Sequence, residues 1–349
     1  MNLFVKSLVF TLLIHLTFSL YGQNPSDEIV RSYALRMDGR IEASINSLSK
    51  IIETDSTNAM AHFEMARAIE DQKKSYHIEK ALLYEPDNLK YRFYKANLQM
   101  LEAYKAMKTN NMELISKNLD QCTETLKGIL AIQPDCKESL LFLIDIYGSL
   151  PEDMGGNMAM AETYLKTLES VDPFYAAQGQ LILELKDHNV DLVAYWKNYM
   201  TSGDDSNDAL IKLGHAYLMN NNIEMAKETF NRVIKNDPEQ TILLLDVARA
   251  HLYTAMRGGD NVDEALNKFK KHINLYLETA LNKPRLIEAW CYGWLGMVEA
   301  KQGNGTAADK YVAKAEKLIP DYPRFTAIPT IDQPPNKMFY RYKSYFSPF

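Results

Sequence analysis

NDALIKLGHAYLMNNNIEMAKETFNRVIKNDPEQ, residues 207–240, holds two apolar stripes separated by a run of asparagines. Leu210, Leu213, Gly214 and Tyr217 recur at three- and four-residue steps, which puts them on one face of a helix. Ala226, Phe230 and Val233 do the same in the second half. Asn220, Asn221 and Asn222 form the turn between them. Pro238 has no N–H with which to continue a helix, and so closes the unit. The small residues are as informative as the large ones. Gly214 and Ala226 let two antiparallel helices approach closely where they face each other, while Tyr217 and Phe230 fill the space around that contact.

This spacing, W-x2-L-G-x2-Y in degenerate form followed by small, aromatic and proline positions, resembles the tetratricopeptide repeat, a pair of antiparallel helices. A second copy starts at Ala289, with Tyr292, Leu295, Gly296, Gly303, Ala308, Val312, Ala315 and Pro320 at matching places. Weaker copies keep the phase through residues 25–58, 59–88, 89–136 (with a long insertion), 137–173 and 241–288, and 174–206 keeps only apolar periodicity. The expectation is an all-α fold: an α-solenoid, or superhelix, of about eight such pairs over residues 23–323. One pair cannot bury its apolar face alone, whereas stacked pairs share a continuous core. A seam is conceivable at the polar stretch 200–206, MTSGDDS, which also reads as an ordinary loop between repeats.

Two Gly-Gly pairs interrupt the pattern, in PEDMGGN (151–157) and in AMRGGDN (255–261). Glycines ahead of a helix can cradle a phosphate. Here both pairs fall between the two helices of a repeat, and each delays the small residue of the second helix, Ala161 or Ala265, by five positions. A matched insertion reads as a lengthened turn. Its glycines would supply positive φ to end the first helix, and Asn157 or Asp260 would stand near the start of the second as a cap.

The two ends differ from the middle. Residues 1–22 carry Lys6, an apolar run from Leu8 to Leu20 and a small residue at Gly22, the pattern of a secretory leader. No cysteine follows, so a lipoprotein is not expected, and the run is short for a membrane span, which needs about 20 residues. The mature protein is expected to be exported, periplasmic or secreted, without a membrane span; loss of Lys6 takes its formal charge from −6 to −7. The tail, 324–349, carries Pro329, Pro334, Pro335 and Pro348 with Phe325, Phe339, Tyr340, Tyr342, Tyr345, Phe346 and Phe349. It reads either as an irregular cap on the last repeat or as an extended segment that docks on a partner.

An acidic balance gives no electrostatic footprint for nucleic acid. Cys122, Cys136 and Cys291 are an odd set; Cys122 and Cys136 can be paired on paper, or all three are small buried side chains. The chain has no H-E-x-x-H, Walker loop, G-x-S-x-G or C-x-x-C. His62, His77, His188, His215, His251 and His272 show no metal-ligand spacing. No enzyme, metal or cofactor is expected.

The resemblance implies binding along the face lined by the first helix of each pair. Carried over by position, it selects Phe63, Arg67, Phe93, Asn97, Asp145, His215, Arg249 and Trp290, and neighbouring positions add Phe142, Tyr253 and Trp294. Aromatics and arginine are the usual anchors of protein interfaces. Phe93 stands where carboxylate-gripping members carry lysine, which speaks against that clamp. The expected function is a non-enzymatic scaffold for a protein or peptide of the cell envelope, through this face or the tail. The alternative is a solute-binding protein associated with a periplasmic transporter.

Overall fold

The computed structural model describes residues 27–69, 73–187, 190–258 and 261–319. The leader, the tail 324–349, His188, Gly259 and Asp260 lie outside the described residues. Among the described residues the chain is all α, with sixteen helices, numbered below two by two along the chain as pairs one to eight, and three short 3-10 turns. The pairs are α1 (Asp27–Met37) with α2 (Ile41–Thr54), α3 (Ala59–Ala68) with α4 (Lys73–Tyr84), α5 (Leu89–Lys108) with α6 (Met112–Ile132), and α7 (Lys137–Ser149) with α8 (Met158–Val171). There follow α9 (Pro173–Glu184) and α10 (Leu192–Thr201), which stand in sequence as the fifth pair but fall in different units, then α11 (Asn207–Met219) with α12 (Ile223–Asn236), α13 (Leu243–Met256) with α14 (Val262–Thr279), and α15 (Arg285–Lys301) with α16 (Gly305–Leu318).

Two compact units divide these helices, one holding residues 27–36 and 41–190, the other 37–40 and 191–319. The division after Val190 falls inside the degenerate fifth pair, upstream of the polar stretch 200–206. In the first unit α2 packs on α3, α4 on α5, α6 on α7 and α8 on α9. In the second, α10 packs on α11, α12 on α13 and α14 on α15. Within each unit, successive helices thus cover the apolar faces that their neighbours expose, which is the solenoid arrangement.

The close helix contact that the sequence predicts is present. A Cβ on Gly214 would lie 2.2 Å from Phe230 Cε1, so only glycine lets α11 and α12 meet there. Ala226 and Phe230 are fully buried beside it. The insertion in 89–136 is no loop. It lengthens both helices, to 20 residues in α5 and 21 in α6. Met100, Ala103 and Ala106 of α5 and Ile115, Leu119 and Cys122 of α6 share one core cluster, so the added turns carry their own burial.

Four pairs share one turn. Its middle residue is left-handed: Gly39 (φ 76°), Asn110 (53°), Asn221 (57°) and Gly303 (81°). In the last three the next N–H returns to the helix just ended, Asn111 to the Ala106 carbonyl at 3.1 Å, Asn222 to Tyr217 at 2.8 Å and Asn304 to Glu299 at 2.9 Å. This is a Schellman closure that uses up otherwise orphaned carbonyls. Asn111 and Asn222 then cap the following helix through their side chains.

The PEDMGGN loop is a bulged version of that turn. The N–H of Asn157 donates to the Tyr147 carbonyl at 2.8 Å, so a hydrogen bond that spans five positions in pair six spans ten in pair four. The N–H groups of Gly155 and Gly156 go to Glu152 and Pro151 carbonyls, at 3.0 and 2.9 Å. Asn157 Oδ1 takes the Met160 N–H. These donors are spent inside the loop, which leaves none of them for a phosphate. Gly155 has φ 92°, and a Cβ on Gly156 would fall 1.9 Å from the Leu150 oxygen. One detail departs from expectation. The first helix ends ahead of Pro151, at an extended Leu150, and Gly155 closes the 3-10 turn that follows. In the second loop Gly258 (φ 78°) follows α13 as expected, and the residue before α14 is Asn261, whose side chain makes no capping bond.

All three cysteines are free, buried thiols. Cys122 Sγ donates to the Ala96 carbonyl at 3.2 Å, and Cys136 Sγ to Ser139 Oγ at 3.3 Å. They are small core residues.

Candidate functional site

In the first unit, α3 carries Phe63 and Arg67, α5 carries Phe93 and Asn97, and α7 carries Phe142 and Asp145. Phe63 stacks on Tyr91 (centroids 4.6 Å) and meets Tyr94 edge-on at 5.4 Å. The Arg67 guanidinium and Lys90 Nζ lie 5.3 and 5.4 Å from the Phe63 ring centroid, within cation–π range. Beside them, Glu64 accepts from Arg67 at 2.8 Å and from Arg36 at 3.1 Å, with both of its oxygens engaged. Arg36 and Arg67 also flank the Tyr33 ring, at 5.2 and 5.8 Å. Burial, and after it the charge of Arg67, pushes the Lys90 ammonium down to about 8. Phe93 touches Phe142 across the pairs at 6.1 Å. Asn97 donates back to the Phe93 carbonyl, and Asp145 accepts from Ser149.

In the second unit, α11 carries His215 and α13 carries Arg249 and Tyr253. Asp246 joins the first two: His215 Nε2 lies 3.1 Å from Asp246 Oδ2, and Arg249 bonds Asp246 Oδ1. Trp290 and Trp294 on α15 lie against each other at 6.4 Å, and Trp294 against Phe269 at 5.9 Å.

The chosen positions thus fall into two classes. Phe63, Arg67, Phe93, Phe142, Asp145, Trp290 and Trp294 are buried, between 2 and 6 % exposed. Asn97, His215, Arg249 and Tyr253 are half-buried, and three of these four sit on two consecutive first helices of the second unit. Sequence reasoning missed Arg36, Glu64, Lys90 and Asp246. The Glu64–Arg67 and Asp246–Arg249 pairs are legible as oppositely charged residues three apart on one helix. Arg36 is not, because it reaches Glu64 from the preceding pair.

Among the described residues no group of three or more His, Cys, Asp or Glu side chains is placed to hold a metal ion. None of their helices is long and apolar enough to cross a membrane. The site offers flat aromatic surfaces, guanidinium groups and hydrogen-bonding carboxylates on helix faces, which is the chemistry of recognition.

Residues 208–240 match the model of the tetratricopeptide repeat family. Among solved structures, the chain is similar to PilW, titled a widely conserved type IV pilus biogenesis factor, at 14 % identity, covering 66 % of this chain and 96 % of that one with a TM-score of 0.38. It is likewise similar to a tetratricopeptide repeat protein from Parabacteroides merdae at 14 %, covering 86 % and 95 %, TM-score 0.36. A third is PilF of Pseudomonas aeruginosa at 13 %, covering 66 % and 94 %, TM-score 0.32. No curated protein sequence matches the chain.

Proposed function

We propose that this tetratricopeptide-repeat chain is a non-enzymatic, exported scaffold that binds a protein segment along the first-helix face of its second unit. The observation that carries this reading is the half-buried row His215, Asp246, Arg249 and Tyr253, spread over α11 and α13. Its charged groups are already ordered by hydrogen bonds to one another, so a partner meets a preset pattern and less side-chain entropy is lost on binding. The aromatic Tyr253 beside a guanidinium is a common interface anchor. Export and an envelope partner rest on the leader pattern of residues 1–22.

The test is affinity capture from envelope extract with the wild-type chain and with Arg249→Glu and Tyr253→Ala. A specific protein retained by the wild type and lost from both variants supports the reading. Equal retention by all three moves the interface elsewhere, the tail 324–349 first.

A further inference from the structure

Pairs six and seven of the second unit leave a cleft of about 530 Å³ between them. Asn221 and Asn222 line it from the turn of pair six, Glu224 from the start of α12, His251 and Thr254 from α13, Asn261 from just before α14, and Glu264 and Lys268 from α14. That volume is in the range of small-molecule sites. The decisive residue is His251. It stands where pair six has Tyr217 and pair four has Tyr147, ten positions into each repeat. A tyrosine there is a space-filling wedge. The imidazole is shorter than the phenol and carries ring nitrogens that need hydrogen-bond partners. His251 is 4 % exposed, and its Nε2 has no hydrogen-bond partner in the structure. Leaving such an atom unpaired costs about 1–3 kcal/mol.

The surroundings restrict what can satisfy it. His272 stacks on His251 at 5.2 Å, and its Nδ1 faces the Lys268 carbonyl at 2.8 Å, so that nitrogen carries the proton. Glu224 is ion-paired with Lys227, and Glu264 with Lys268 at 2.8 Å. Each carboxylate therefore has its own lysine, and the cleft offers little to a net charge. Burial, followed by the charges of His272 and Lys268, holds His251 down to about 4, so it is neutral near pH 7. A neutral imidazole nitrogen is matched by a hydroxyl group, which donates or accepts as the tautomer requires. The amide, carboxylate and hydroxyl groups around it add hydrogen-bonding sites for further hydroxyls.

We infer that this cleft is a binding site for a small, neutral, hydroxyl-bearing solute, with His251 as its buried anchor. It is separate from the protein-binding face proposed above.

The full chain, labelled with ¹⁵N at histidine, is titrated with glucose and glycerol as neutral probes and with gluconate and protonated glucosamine as charged ones. A neutral probe is expected to move the His251 Nε2 resonance and to bind more tightly than either charged one. His251→Tyr, which restores the repeat's own residue and so is expected to fold, plugs the cleft and weakens binding at least about tenfold, the loss of one buried hydrogen bond. Asn261→Leu, at the exposed rim, weakens it while leaving the thermal midpoint in place. The inference is overturned if neither neutral probe shifts His251, if a charged probe binds more tightly, or if folded His251→Tyr binds as the wild type does.

Discussion

Glu64 in the first unit and Asp246 in the second stand in the same arrangement. Each is a carboxylate on the first helix of its pair. Each holds an arginine three residues on, Arg67 or Arg249, and a cationic or imidazole group from the first helix of the preceding pair, Arg36 or His215. They differ in burial. The Arg36, Glu64 and Arg67 side chains are 1, 1 and 5 % exposed, whereas His215, Asp246 and Arg249 are 20, 14 and 11 % exposed. The difference separates structural from recognition roles on one repeated face. A buried carboxylate between two guanidiniums is held by the fold and in turn holds it. One that reaches solvent is cheaper to lose and is available to a partner.

The largest expected effect breaks the buried member. Glu64→Ala leaves two guanidiniums together in the core and is predicted to cost about 3–5 kcal/mol in urea unfolding. Asp246→Ala is predicted to cost less, about 1.5–2 kcal/mol by the same measurement. Equal losses would remove the distinction. The Gly-Gly loops extend the contrast between the units. Gly156→Ala drives a Cβ onto the Leu150 carbonyl and is predicted to cost about 2–3 kcal/mol. Gly258→Ala meets open space and bears only the strain of its positive φ, about 1 kcal/mol.

A pH dependence comes next. His251 is held at about 4, below the 6.5 of a free imidazole, so the unfolded chain binds more protons between those values. Stability from this group is complete above pH 6.5, falls as pH drops toward 4 and is level below that. The contribution is on the order of 3 kcal/mol, and His251→Tyr is predicted to flatten that part of the stability profile. The smallest effects are the caps. Asn157→Ala in the bulged turn and Asn222→Ala in the regular one are each predicted to lower stability by about 1 kcal/mol, and by similar amounts, since both accept an N–H three residues on.

What the sequence made legible was local. Gly214, Ala226, Tyr217 and Phe230 announce a helix pair because their spacing and sizes encode one contact. The delay of Ala161 announces the bulged turn of the fourth pair for the same reason. Interactions between pairs were hidden. Arg36 reaches Glu64 over 28 positions and His215 reaches Asp246 over 31, and no spacing rule foretells which side chains meet across stacked pairs. Burial was hidden likewise: Arg67 and Arg249 are each the ninth residue of their repeat, yet packing has closed over Arg67 alone. The orphan nitrogen of His251 needed the cleft to give it meaning, although a histidine at the repeat's tyrosine position was readable from the start.

The central claim, that the first-helix face of the second unit receives a protein partner, is tested most directly by site-specific photo-crosslinking. A photoreactive residue at Tyr253 is compared with one at Lys235, which is exposed near the end of α12. The account predicts a discrete protein adduct from Tyr253 that Arg249→Glu abolishes, and none from Lys235. Adducts of equal yield from both positions, or an adduct from Lys235 alone, would contradict it.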